Sequence, residues 1–272
     1  MSSTRRVLKA LTVAGVLGAA APAAASAVTI TMSGATASYP LVSLLAQKYV
    51  KTHKKLKVKF RIAQGGAQVG VNDAAAGRVT IGNVSRDPVP SDPAGLDFYP
   101  IAKYGICVVT NKSNPLANLT QAQVISIFTG KIRSWSQVPG AGATGSIDLI
   151  SRTAGSGALS SFQTVLLEGK SVSAVATQES SDGLEYQQVQ SDPNGITFVT
   201  NYRADKREAN VVSLNGVRCN RSTVTSGQYS GTARFYEVTK GKATGAAASF
   251  IAWITKSKAA RNIISTQWVP IR

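Results

Sequence analysis

The stretch Ile147-Asp148-Leu149-Ile150-Ser151-Arg152-Thr153-Ala154-Gly155-Ser156-Gly157 decides the fold of this chain. Its first four residues read as a buried strand. A junction of small and hydroxyl residues follows, and Gly157 to Leu167 then reads as a helix closed before Gly169. The same order recurs upstream. Val28 to Met32 leads through Ser33-Gly34-Ala35-Thr36-Ala37-Ser38 into 39–50, where Leu41, Leu44, Leu45 and Tyr49 stand at helical spacing. Leu56, Val58, Phe60 and Ile62 alternate with Lys57, Lys59 and Arg61, a half-buried strand with one basic face; Gln64-Gly65-Gly66-Ala67-Gln68-Val69-Gly70 then opens a short helix. Residues 79–81, 101–110, 196–199, 211–214 and 235–238 read as further strands, and 118–130, 184–189 and 246–264 as helices. This alternation predicts an α/β fold with largely parallel sheets.

The three junctions share a design with chemical meaning. The first N–H groups of a helix lack partners within it, and the helix dipole favours negative charge there. Glycine lets an anion approach the backbone, and Ser or Thr adds a hydroxyl donor. Arg152 adds a charged, two-pronged donor for an oxyanion. The competing reading makes Thr36, Ser38 and Ser156 ordinary N-caps and the glycines ordinary turn residues.

Other features bound the function. Arg5, Arg6 and Lys9, an apolar run to about Ala21 and Ala25-Ser26-Ala27 read as a secretory signal over 1–27, with cleavage near Ala27. The chain is then secreted or periplasmic; no cysteine follows the apolar run, so a lipid anchor is not expected. The net charge of +17 suits an anion binder or a nucleic-acid binder alike. Seven basic residues and no acid lie between Lys48 and Arg61, which usually marks a solvated face; without interleaved exposed aromatics there is no stacking platform for nucleic acid. Cys107 and Cys219 allow a disulfide, with a buried free thiol at Cys107 as the alternative. His53 is the only histidine, no G-x-S-x-G surrounds Ser156, no phosphate-binding loop of nucleotide type is present, and Asp73, Asp87, Asp92 and Asp182 are scattered. No enzyme activity, metal or cofactor is expected.

With these residues in view the chain resembles the periplasmic phosphate-binding proteins of ABC transporters, within the type 2 periplasmic-binding-protein superfamily. Ser33-Gly34-Ala35-Thr36 with Tyr39-Pro40, Gln64-Gly65-Gly66 through Asp73, Ile127-Phe128-Thr129-Gly130-Lys131-Ile132 and Ser151-Arg152 with Gly155-Ser156-Gly157 carry the likeness, along with Asp192-Pro193-Asn194-Gly195-Ile196. The resemblance implies a two-lobe architecture with a ligand cleft between the lobes: 28–105 in lobe 1, 106–200 in lobe 2 and 201–272 returning to lobe 1. It implies a monomer that captures a small oxyanion, phosphate first, and delivers it to an ABC transporter permease. By position the contacts are Thr36, Ala37 (backbone), Ser85, Arg152, Ser156 and Gly157. The chain departs from the pattern in three places: Ala67 replaces a usual serine, Ala154 a common acid and Ala158 a usual threonine. Ser85 stands where some members place an aspartate. Each missing hydroxyl removes a donor, a deficit of roughly 0.5–3 kcal/mol. The other reading is a basic secreted protein that binds an anionic cell-wall polymer or nucleic acid, with no sequence-specific recognition.

Overall fold

A computed structural model describes residues 27–271. The expected leader, up to residue 26, lies outside the described residues. The chain begins with β1 (Val28–Gly34), α1 (Tyr39–Thr52), β2 (Val58–Ile62), α2 (Ala67–Ala75) and β3 (Ile81–Val84). A long strand β4 (Leu96–Thr110) follows, then β5 (Asn118–Leu119), α3 (Gln121–Phe128), β6 (Asp148–Arg152) and α4 (Gly157–Val165). Next come β7 (Thr177–Glu179), α5 (Asp182–Ser191), β8 (Gly195–Thr200), β9 (Asn210–Val211) and β10 (Ser213–Leu214). The chain closes with α6 (Arg221–Ser226), β11 (Thr232–Lys240), α7 (Gly245–Lys256), α8 (Lys258–Gln267) and β12 (Val269–Pro270).

The main sheet runs β2-β1-β3-β11-β4-β8-β6-β7. β1 pairs in parallel with β2 and β3, and β6 in parallel with β7 and β8, as alternation with helices requires. The middle is antiparallel instead. β11 runs against β3 and β4, and β4 against β8, so the sheet is mixed rather than largely parallel. β4 changes partner along its length: Leu96 to Gly105 face β11, while Ile106 to Thr110 face β8. It therefore ties the two halves of the molecule together. Asn201 clamps the changeover, accepting from the Gly105 N–H at 2.7 Å through its side chain and donating to the Gly105 carbonyl at 2.9 Å. The segment after β8 first packs on the second half, through β9 on β4, β10 on β5 and a disulfide between Cys107 and Cys219, and then returns with β11.

Each half has its own aromatic anchor. Tyr49, Phe60 and Phe250 pack edge to face and bind α1, β2 and α7 into one layer. His53, at the C-cap of α1, stacks on Tyr49, which accounts for the lone histidine as a packing residue. In the second half Phe162 of α4 stacks on Phe198 of β8 at 4.0 Å, with Phe128 across them. Burying such rings contributes most of each half's packing. Glycine sets the helix–sheet distance where it matters. A Cβ at Gly82 would lie 2.2 Å from the Gly70 carbonyl oxygen, so α2 rests directly on β3 and its N-terminus is held beside the ends of β1 and β3.

Glu237 of β11 is fully buried opposite Asn83 and Tyr99, and neither carboxyl oxygen has a hydrogen-bond partner. Burial pushes its carboxyl well above the usual range. A carboxyl raised in the folded state favours folding while protonated in both states. That contribution is lost as pH climbs from the unfolded value toward the folded one. Glu237→Gln removes the titration. In denaturant melts the wild type should lose stability relative to this variant as pH rises above about 4. A constant difference would show that the carboxyl is ionised and solvated in the fold.

Candidate functional site

The C-terminal ends of β1, β3 and β6 and the starts of α1, α2 and α4 meet at one place. Arg152, the last residue of β6, donates from Nη2 to Thr36 Oγ1 at 3.1 Å, and the Asp182 N–H donates to the same oxygen at 3.3 Å. With both lone pairs of its oxygen engaged, the Thr36 hydroxyl proton is free to be donated. The Gln68 N–H of α2 donates to the Gly155 carbonyl at 3.0 Å, and Ser161 Oγ of α4 donates to the Ser85 carbonyl at 3.0 Å. Gly157 fits only as glycine: a Cβ there would stand 2.6 Å from Ser85 Oγ and 2.7 Å from Ala67 Cβ.

Thr36, Ala37, Ser85, Arg152, Ser156 and Gly157 are thus all buried in one neighbourhood, brought there by loops from both halves of the sheet. The N-cap reading applies in part. Ser156 caps α4 by accepting from the Leu159 N–H at 3.3 Å, which leaves its own proton to donate. Ser38 at the start of α1 and Gly66 at the start of α2 make no side-chain cap. Of their first N–H groups, that of Gln68 is taken by the Gly155 carbonyl, and Pro40 leaves α1 without one at its second position.

Arg152 is only 2% exposed and rigidly held. Its Nε donates to the Glu179 carbonyl and its Nη2 also to the Ser180 carbonyl, both at 3.0 Å. None of these bonds uses Nη1. A two-pronged grip on an anion therefore has to share Nη2 with Thr36. The residues opposing this charge come from α5. Glu185 Oε2 lies 4.0 Å from Arg152 Nε, and Glu185 Oε1 accepts from Thr197 at 2.6 Å. Asp182 pairs with Arg203 at 3.2 Å. Burial raises both carboxyls, Glu185 the more strongly, against the opposing pull of Arg152. Glu185 Oε2 and Asp182 Oδ1 lack hydrogen-bond partners. Desolvation works against both carboxylates while Arg152 favours them, so the guanidinium and the two acids form one coupled buried cluster. Arg86 is buried close by but does not serve this way: Asp92 occupies both its terminal nitrogens, at 2.6 and 2.9 Å.

Asp182 and Glu185 were not singled out for the site from sequence. Their only local signal is acid at i and i+3 in the first turn of a helix that Ser181 caps. Asp73 and Asp87, the other acids considered for the cleft, are engaged elsewhere. Asp73 accepts from Ser33 at 2.7 Å and from Arg78, and Asp87 accepts from Tyr236 at 2.7 Å.

A two-half α/β architecture is also what the comparisons find. Residues 19–258 match the family model of the PBP superfamily domain. The chain belongs to this superfamily. It is 26% identical over 249 residues to the phosphate-binding protein PstS of Bacillus subtilis, covering 89% of this chain and 80% of that protein. A solved phosphate ABC transporter substrate-binding protein from Clostridium perfringens, with phosphate bound, superposes with a TM-score of 0.83 at 27% identity, covering 90% of this chain and all of the other. An ABC-type phosphate transport receptor from Vibrio cholerae shares the fold, with a TM-score of 0.72 at 23% identity and coverage of 89% of this chain and all of that one. As a PBP superfamily member the protein has a two-lobe α/β fold, and the relatives named are solute-binding proteins. No helix among the described residues is long and apolar enough to cross a membrane.

Proposed function

We propose that this protein captures inorganic phosphate between its two lobes and presents it to the permease of an ABC transporter, without catalysing a reaction. The observation that carries the reading is the buried Arg152, with hydroxyl donors from both halves around it. The names of the relatives in Bacillus subtilis and Clostridium perfringens support the same ligand. We read 28–105 as the first part of one lobe, 106–200 as the other and 201–272 as the return, with 209–219 still packed on the second lobe. Thr36, the Ala37 N–H, Ser85, Arg152, Ser156 and the Gly157 N–H are the proposed contacts. The protein acts as a monomer outside the cytoplasm after cleavage near Ala27. Isothermal titration with phosphate, sulfate, molybdate and arsenate tests the reading. One-to-one binding of phosphate is expected, and silence for all four anions overturns it.

Phosphate near neutral pH carries a proton and sulfate does not. A buried carboxylate acceptor selects between them, because it receives that proton and repels a fully deprotonated anion. Ser85, buried against Gly157, offers a hydroxyl where such an acceptor would stand. The wild type should therefore discriminate against sulfate only modestly, and Ser85→Asp should sharpen the preference for phosphate. Competition titrations decide it. Strong selectivity in the wild type, unchanged by the substitution, would assign discrimination to another acceptor.

A further inference from the structure

The first half of the molecule carries a face that the anion site does not use. No acid occurs between Val28 and Asp73. Within that span α1 exposes Lys48 and Lys51, the turn into β2 exposes Lys54, Lys55 and Lys57, and β2 exposes Lys59 and Arg61. Among the described residues none of these seven takes part in an ion pair. Aliphatic side chains stand among them: Leu44 is 42% exposed, Val50 39% and Leu56 49%. Val50, Lys51, Lys59 and Phe60 line one groove of about 650 Å³ between α1 and β2.

Basic residues guard edge strands against pairing with other chains, and β2 is the edge of the sheet. That accounts for Lys57, Lys59 and Arg61. It does not account for lysines on α1 and in the turn, nor for exposed leucine and valine beside them. Unpaired lysines call for an anionic partner. A soluble polyanion has nothing for the aliphatic side chains, and nucleic acid would be gripped through exposed aromatics, whereas Tyr49 is buried. A bilayer offers both partners at once: lipid phosphates for the lysines and the headgroup–acyl boundary for the leucines. The face also lies away from the anion site. The anion loops follow the C-terminal ends of β1 and β3, while Leu56 and Lys57 stand at the N-terminal end of β2, which runs parallel to β1.

We propose that this face docks the protein on bilayers containing anionic phospholipid, with Leu44, Val50 and Leu56 entering the headgroup layer and the surrounding lysines meeting lipid phosphates. Docked this way the protein stays at the membrane surface with its cleft uncovered. The test is co-sedimentation of the full chain with vesicles of phosphatidylcholine alone and of phosphatidylcholine mixed equally with phosphatidylglycerol. Binding is expected only to the anionic vesicles and should be lost at about 0.5 M salt. The triple variant Lys54→Gln, Lys55→Gln, Lys57→Gln should lower the partition about a hundredfold. Leu56→Ser should lower it about tenfold while leaving retention on immobilised polyphosphate unchanged. A control triple, Lys131→Gln, Arg218→Gln, Arg221→Gln, should leave partition within about twofold of wild type. All replaced side chains are exposed, and an unchanged melting temperature shows that each variant is folded. No vesicle binding, equal binding to both vesicle types, or an equal loss in the control triple overturns the proposal. So does insensitivity to Leu56→Ser, which would make a soluble polyanion the partner. Phosphate titration is a separate measurement, and its outcome leaves this one standing.

Discussion

Arg152→Ala should reduce phosphate affinity by one to two orders of magnitude, more than any other single replacement in the cleft. A hydrogen bond to a charged group contributes about 1.5–3 kcal/mol. Here the loss is compounded, because the guanidinium also links the two halves through Thr36 and is itself held by the carbonyls of Glu179 and Ser180. The variant should also unfold more easily. Removing one partner of a buried charge cluster costs about 3–5 kcal/mol. The lower end applies here, since burial already raises the Glu185 and Asp182 carboxyls and eases their protonation once the arginine is gone. Arg152→Lys keeps the charge without the fork and should fall between the two. Lys54→Ala, exposed and far from the cleft, should leave affinity unchanged because solvent screens it. Isothermal titration of the three variants makes the comparison. Equal losses in Arg152→Ala and Lys54→Ala would mean that diffuse positive charge, and no particular residue, holds the anion.

The double variant Cys107→Ala, Cys219→Ala should be markedly less stable than the wild type. The bridge closes a loop of 112 residues, and closing so long a loop restricts the unfolded chain strongly, worth about 4–5 kcal/mol in the chain-entropy account. For a domain of this size each kcal/mol moves the melting temperature by roughly 2–4 °C, so a fall of about 10 °C or more is expected. Cys107 is fully buried on β4 one residue past the changeover, and Cys219 lies between β10 and α6. The bridge therefore fastens the 209–219 segment to the second half. Calorimetric melting of wild type and variant reads the effect. A drop of less than about 3 °C would show that β9 and β10 hold this segment without the bridge.

How far the chain could be read in advance varies with the range of the interaction involved. The helix over 39–50 was evident from Leu41, Leu44, Leu45 and Tyr49; it runs on to Thr52, and of these four only Leu44 proves to be exposed. Ser156 was evident as a helix start because capping acts over three residues, whereas the helix read from Asn118 begins only after the Thr120 cap, with 118–119 in β5. The short strands β5, β7 and β12 were not legible, since two or three residues carry no periodicity and form only because a partner strand is waiting, and 211–214, read as one strand, divides between β9 and β10. β4 was read short. Its first five residues are held in place by β11, more than a hundred residues later.

The candidate site divides along the same line. Local sequence determined its donors: hydroxyls and glycines at helix starts and an arginine at the end of a strand. These follow from backbone groups that a helix leaves unpaired and from a dipole summed over neighbouring residues. Ala154 stands where the resemblance places a common acid. Only the tertiary structure shows that Glu185 and Asp182 stand there in its place. They arrive from a helix some thirty residues further on, because β6, β7 and β8 pair in an order that lays α5 against the end of β6. Strand order depends on which apolar faces bury one another across the whole chain. No pattern within a few residues of Arg152 can report it, and so the charge balance of the cleft was decided by packing.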